Sequence, residues 1–200
     1  MPEEGVILLV SGPAGIGKTT VCKSLLKEFS PRLQRIVTAT TRPPREGEND
    51  GVDYHFLSTE EFEERIKSKD FYEHALVHGR RYGTLKNDVR EKLESGAHLL
   101  LNVDVQGADA FRRTADKDDF LKGKLHTVFL MPENLENLKR RLLGRGTDSD
   151  QEVDRRMKTA GEEISRSSEY DHCLLSSTKD QDYESLKSLY LQFSAKGGTN

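Results

Sequence analysis

The segment "GPAGIGKTT", Gly12 to Thr20, holds the first residues whose types and spacing could do chemistry. Gly12 and Gly17 stand five positions apart, and Lys18 and Thr19 follow directly. Glycines at those places let successive backbone N–H groups turn inward on an anion, and a helix starting there adds its positive end. Lys18 can reach the outer phosphates of a nucleotide, and the Thr19 hydroxyl is the expected magnesium ligand. Gly12, Pro13, Ala14, Gly15, Ile16, Gly17, Lys18, Thr19 and Thr20 are therefore the expected phosphate contacts, with Thr19 also on the metal. The pattern is strong for phosphate and silent on the reaction. A GTPase should also show a guanine-reading Asn-Lys-x-Asp element. "STKDQD" comes nearest, with Gln181 where the aspartate should be.

A second stretch bears on the acceptor. In "TATTRPPREGENDGVDYHF", Thr38 to Phe56, Arg42 and Arg45 lie three residues apart, with Pro43 and Pro44 stiffening the backbone between them. Two held guanidinium forks suit a phosphate dianion, and Tyr54 offers a phenolic donor. A solvated basic loop explains the same residues, and this stretch alone leaves both readings open. Further on, Arg140, Arg141, Arg145, Arg155, Arg156, Lys158 and Arg166 gather around a glycine-flanked turn between 140 and 168. That composition suits a lid over a transferring phosphoryl group better than a switch. His74 and His78 have the spacing of a helical zinc pair. No third ligand or accompanying glutamate is at hand, and the segment reads as extended, so no metal site is expected there.

The elements that must position these residues alternate between strand and helix, the mark of an α/β fold with a mainly parallel sheet. "GVILLV" reads as a buried strand ahead of the glycine loop. Val21, Cys22, Leu25, Leu26 and Phe29 follow at helical spacing, and Pro31 ends that helix. "RIVTAT", "HLLLNVD", "LHTVFLM" and "HCLLS" read as further strands. Ser58 and Glu61 form a capping box ahead of a helix carrying Phe62 and Ile66. Leu135, Leu138 and Leu142 mark a helix stopping near Gly144 and Gly146, and a charged helix runs from about Asp150 to Ser168. Tyr183, Leu186, Tyr190 and Phe193 stripe a final helix.

Composition bounds the rest. Two hundred residues at 34% hydrophobic content support one sizeable core. A net charge of −3 gives no support for non-specific nucleic-acid or membrane binding, and no apolar run is long enough to span a bilayer. Two cysteines and no secretory signal point to a reducing cytoplasm. Cys22, inside a helix, reads as a small buried residue.

Together the phosphate loop, "TTRPPREGENDGVDYHF", "FYEHALVHGRRYGT", "NVDVQGA" and "LKRRLLGRGT" resemble guanylate kinases in order and spacing, from about Val6 to Tyr190. The resemblance implies the nucleoside monophosphate kinase fold. Its core would be about 1–35, 91–139 and 169–195, its GMP-binding lobe about 36–90 and its lid about 140–168. The reaction implied is ATP and GMP to ADP and GDP with magnesium. dGMP is left open as a second acceptor, and nothing in the sequence chooses between monomer and homo-oligomer. By resemblance Arg42, Arg45, Tyr54 and Tyr82 hold the GMP phosphate, Glu73 reads guanine with Thr84 and Thr38 beside it, and Arg141, Arg145 and Arg156 close over the donor phosphates. One carboxylate can accept both donors of guanine's Watson–Crick edge, whereas a surface salt bridge is the plain reading of Glu73 taken alone.

A related kinase acting on a phosphorylated sugar would have no use for Glu73, Thr84 and Tyr82. Inert interaction modules of this family tend to lose the phosphate loop, which is intact here. Three departures stand out: Thr38 where many members have Ser, Asn102 in place of the first carboxylate of an Asp-x-Asp pair, and Ser176 where Asn is common beside adenine. Asp104 is the carboxylate that remains, expected on the same strand face as Asn102 and serving either magnesium or the guanine amino group.

Overall fold

Every residue of β1 (Ile7–Ser11) is buried, because this strand runs down the middle of a sheet covered on both faces. The computed structural model describes residues 5–77, 79–143 and 150–196. After β1 come α1 (Lys18–Phe29), β2 (Leu33–Arg35), β3 (Ala39–Thr40), β4 (His55–Phe56), α2 (Thr59–Lys67), β5 (Phe71–Val77), β6 (Arg80–Leu85) and α3 (Lys86–Glu94). The chain continues through β7 (His98–Asn102), α4 (Val105–Ala115), β8 (Leu125–Pro132), α5 (Leu135–Leu143), α6 (Asp150–Ser165), β9 (His172–Ser176) and α7 (Lys179–Lys196).

The main sheet has the order β2-β7-β1-β8-β9, and every pairing in it is parallel. Successive strand residues point to opposite faces, so the apolar runs supply two cores. Ile7, Leu9, Leu99, Leu101 and Phe129 pack with Val89, Leu93, Val105, Ala108 and Phe111 of α3 and α4. Leu8, Val10, Leu100, Val128 and Leu130 pack with Val21, Cys22 and Leu25 of α1 and with Leu186, Tyr190 and Phe193 of α7. Cys22 is thus a core residue, and burial pushes its thiol up to about 12. None of the described helices is long and apolar enough to cross a membrane.

A second sheet, ordered β4-β3-β6-β5, carries the inserted segment. β3 runs parallel to β4 and antiparallel to β6, which pairs antiparallel with β5. Here the expectation of one strand over "RIVTAT" fails. β2 ends at Arg35 in the main sheet and β3 begins at Ala39 in the other, so the chain changes sheets across Ile36–Thr38. Ile36 and Val37 are buried in that crossing, which is why the run stays apolar without being strand. The capping box forms as expected: Glu61 N–H donates to Ser58 Oγ (3.1 Å) and Ser58 N–H to Glu61 Oε2 (2.7 Å). The charged helix α6 stops at Ser165, and a short 3-10 turn over Ser167–Glu169 follows. His74 lies on extended β5, and His78 falls outside the described residues.

Candidate active site

Gly12 leaves the C-terminal end of β1 with φ +140°, and a Cβ there would sit 2.5 Å from the backbone oxygen of Leu130 on β8. Only glycine fits such a close approach. The loop then turns through Gly17, which caps α1 in a left-handed conformation. Lys18 Nζ folds back to donate to the carbonyls of Gly12 (2.5 Å) and Pro13 (3.1 Å), spanning the loop from its helix end to its strand end. On the neighbouring strand β7, Asn102 Nδ2 donates to Thr19 Oγ1 at 3.3 Å. Strand ends and helix start thereby form an anion seat at the carboxyl edge of the sheet.

The second sheet builds another cation-lined site. The Arg42 guanidinium lies over the rings of Tyr54 and Phe56, 5.3 and 5.7 Å from their centroids. Its Nη2 donates to both carboxylate oxygens of Glu48 at 2.9 Å, and Nη1 to the Pro43 carbonyl at 2.8 Å. The Glu48 bond, with the Tyr82 hydroxyl contributing, holds the Arg42 pKa above its ordinary value. Tyr54 and Tyr82 meet edge to face at 6.1 Å. Arg42, Tyr54 and Tyr82 are therefore gathered as the sequence implies. Arg45 is exposed, and its backbone N–H donates to Glu48 Oε2 at 2.7 Å. Thr38 is half-buried just before β3, its carbonyl accepting from His55 N–H. Glu48 went unremarked in the sequence; its only signal there is an acidic residue three positions beyond Arg45 in a turn-rich loop.

Glu73 and Thr84 stand directly opposite each other on β5 and β6. Thr84 Oγ1 donates to Glu73 Oε1 at 2.7 Å, and Glu73 is only 9% exposed. Burial is the main reason its pKa rises from 4.5 to about 7, and the charge of Asp104 adds to the rise. Asp104 does not share a strand face with Asn102. β7 ends at Asn102, and Asp104 is the N-cap of α4, accepting from Gly107 N–H at 2.7 Å. Strand alternation stops before it, so the two side chains serve different neighbours: Asn102 the phosphate loop, Asp104 the helix start with its field at Glu73.

Of the three expected lid arginines, Arg145 lies outside the described residues and Arg141 is placed only as a backbone position on α5. Arg156 is half-buried on α6. Sequence reasoning missed Glu163 on the same helix. Burial raises its carboxyl pKa, the charge of Lys18 opposes the rise and that of Asp104 adds to it. Ser176, at the end of β9, donates its hydroxyl to Asp182 Oδ2 at 2.7 Å, and Asp182 also accepts from Ser177 N–H. That hydroxyl is committed to bracing the start of α7.

With this geometry in hand, the guanylate kinase family model matches residues 4–192. The chain belongs to the guanylate kinase family. It is 37% identical to a guanylate kinase of Campylobacter jejuni over 199 residues, covering 98% of this chain and 93% of that one. It is 42% identical to a guanylate kinase of Fusobacterium nucleatum over 177 residues, covering 88% and 91%. The crystal structure of the Anaplasma phagocytophilum guanylate kinase superposes with a TM-score of 0.68 at 29% identity, covering 99% of this chain and 89% of that one. Family membership gives the two phosphate-suited sites and the buried carboxyl a common frame.

Proposed function

We propose that this chain transfers the terminal phosphoryl group of ATP to GMP, giving ADP and GDP. The observation that carries this reading is the buried Glu73–Thr84 pair beside the Arg42–Tyr54–Tyr82 cage. Guanine offers N1–H and N2–H₂ as adjacent donors, and one carboxylate accepts both. Adenine has no such pair and would leave the buried carboxyl unmatched, an asymmetry worth about 10⁴ in discrimination at sites built this way. Asp104, with its field at Glu73, belongs on this reading to the guanine side rather than to the metal.

Arg42, Arg45, Tyr54 and Tyr82 would hold the GMP phosphate, which is already a nucleophilic oxyanion and needs no strong general base. Lys18 and the loop amides would hold the outer phosphates of ATP, and Arg141, Arg145 and Arg156 would close over them from the lid segment, about 140–168. The metal fits the residues present. Among the described residues no three His, Cys, Asp or Glu come together as a cation site. Magnesium at nucleotide sites keeps several waters and binds the substrate's phosphates, and the Thr19 hydroxyl at the start of α1 would supply a protein oxygen. When bound with ATP, magnesium would neutralise charge on the outer phosphates. Lys18→Ala tests the transfer step: turnover to GDP should fall by at least about 10² while the folded state persists. Unchanged turnover in a folded variant would remove the phosphate loop from the mechanism.

A further inference from the structure

Glu48 has no part in the assignments above, yet it is built into the monophosphate site from two directions. Its carboxylate takes Arg42 Nη2 at 2.9 Å on both oxygens, with the two side chains only 14% and 21% exposed. Its Oε2 also accepts from Arg45 N–H at 2.7 Å, while its own N–H donates to the Arg45 carbonyl at 3.0 Å. These reciprocal bonds tie the carboxylate into the turn that carries both phosphate-suited arginines.

We propose that Glu48 is the positioning residue of the monophosphate site, gripping Arg42 from behind so that its free edge meets the acceptor's phosphate. This rests on the GMP reading above. A guanidinium has five N–H groups; Nη2 makes two bonds to Glu48 and Nη1 one to Pro43. At least two, on Nε and Nη1, stay outside those bonds, enough for a bidentate hold on a phosphate. The Tyr54 and Phe56 rings fix the plane of the group, and Glu48 fixes its rotation within that plane. A carboxylate merely filling the seat until phosphate arrives would have no need of the second tie to Arg45. Glu48 therefore stays on Arg42 when phosphate binds.

The sign of one substitution separates these roles. At fixed geometry a carboxylate near a phosphate is repulsive, so Glu48→Gln would tighten GMP binding if charge alone mattered. Positioning predicts the opposite. The amide keeps an acceptor for Arg45 N–H but loses the two-oxygen, charge-assisted hold on Arg42, and KM for GMP should rise about tenfold. KM for ATP, and inhibition by guanosine, which has the base without the phosphate, should not move. Glu48→Ala should show the same pattern with a larger rise. In an Arg42→Ala background, Glu48→Gln should add less than about twofold, because its effect runs through that arginine. An unchanged or lowered KM for GMP in Glu48→Gln, or the full tenfold surviving without Arg42, would overturn the proposal. A wild-type protein making no GDP would instead overturn the reading of the site itself.

Discussion

At the scale of single residues, the site turns on a carboxyl placed where a charge is costly. The buried Glu73 carboxyl, raised to about 7, keeps in the folded state a proton that the unfolded chain releases near 4.5. Its contribution to stability is complete below about pH 4.5 and is lost as pH rises through about 7. The difference amounts to roughly 3 kcal/mol. Thermal unfolding of wild type and Glu73→Gln should therefore diverge with pH, the wild type losing stability relative to the variant between about pH 4.5 and 7.5. Parallel curves would mean that the carboxyl is not strained by burial. Guanine's two donors favour the charged form, so the same group couples GMP binding to proton release near neutrality. The phosphate loop was readable residue by residue, since backbone geometry leaves little choice of type at Gly12, Gly17 and Lys18. Glu73 and Thr84 were legible only through the resemblance to the family, not from their own types and spacing. A glutamate in an alternating strand looks solvated until the strand opposite supplies its hydroxyl partner eleven residues later.

Among the elements, the main sheet was legible because parallel strands buried on both faces must be apolar throughout. The crossing at Ile36–Thr38 was not, because burial in a connection and burial in a strand call for the same residue types. Asp104 was misread for a related reason: two-residue alternation holds only while the strand lasts, and β7 stops two residues before the helix cap. The packing of β1 against β8 also sets a sharp demand at Gly12. An added Cβ would meet a backbone carbonyl at 2.5 Å, which cannot swing aside as a side chain could, and φ +140° adds strain. Gly12→Ala should cost about 2–4 kcal/mol in denaturant-induced unfolding. A loss below about 0.5 kcal/mol would show that the β1 end yields more easily than its contacts imply.

At the scale of the molecule, the second sheet is tied to the core at β5, and at its other edge Arg35 of β2 donates to the Asp53 carbonyl and lies over the Tyr54 ring. Tyr72 of β5 packs on Phe111 of α4 with ring centroids 5.0 Å apart, and its hydroxyl donates to Asp118 at 2.8 Å. Arg90 of α3 donates to the same carboxylate at 2.6 and 2.7 Å. In the order β4-β3-β6-β5, the loop bearing Arg42 and Arg45 joins β3 to β4 at the opposite edge. Closure of the phosphate-holding edge toward the phosphate loop is expected when both nucleotides bind. Closure excludes water, which would otherwise compete for the phosphoryl group. Small-angle scattering should show a smaller radius of gyration with GMP plus a non-hydrolysable ATP analogue than without ligands. No compaction with both bound would count against that closure.

The most direct test of the whole account is kcat/KM for GMP, AMP, CMP and UMP, each offered separately with ATP and magnesium in a coupled assay. The buried Glu73–Thr84 pair predicts a preference for GMP of about 10³ or more over each of the others. Comparable values for AMP or CMP, or ATP consumption without GDP formation, would contradict it.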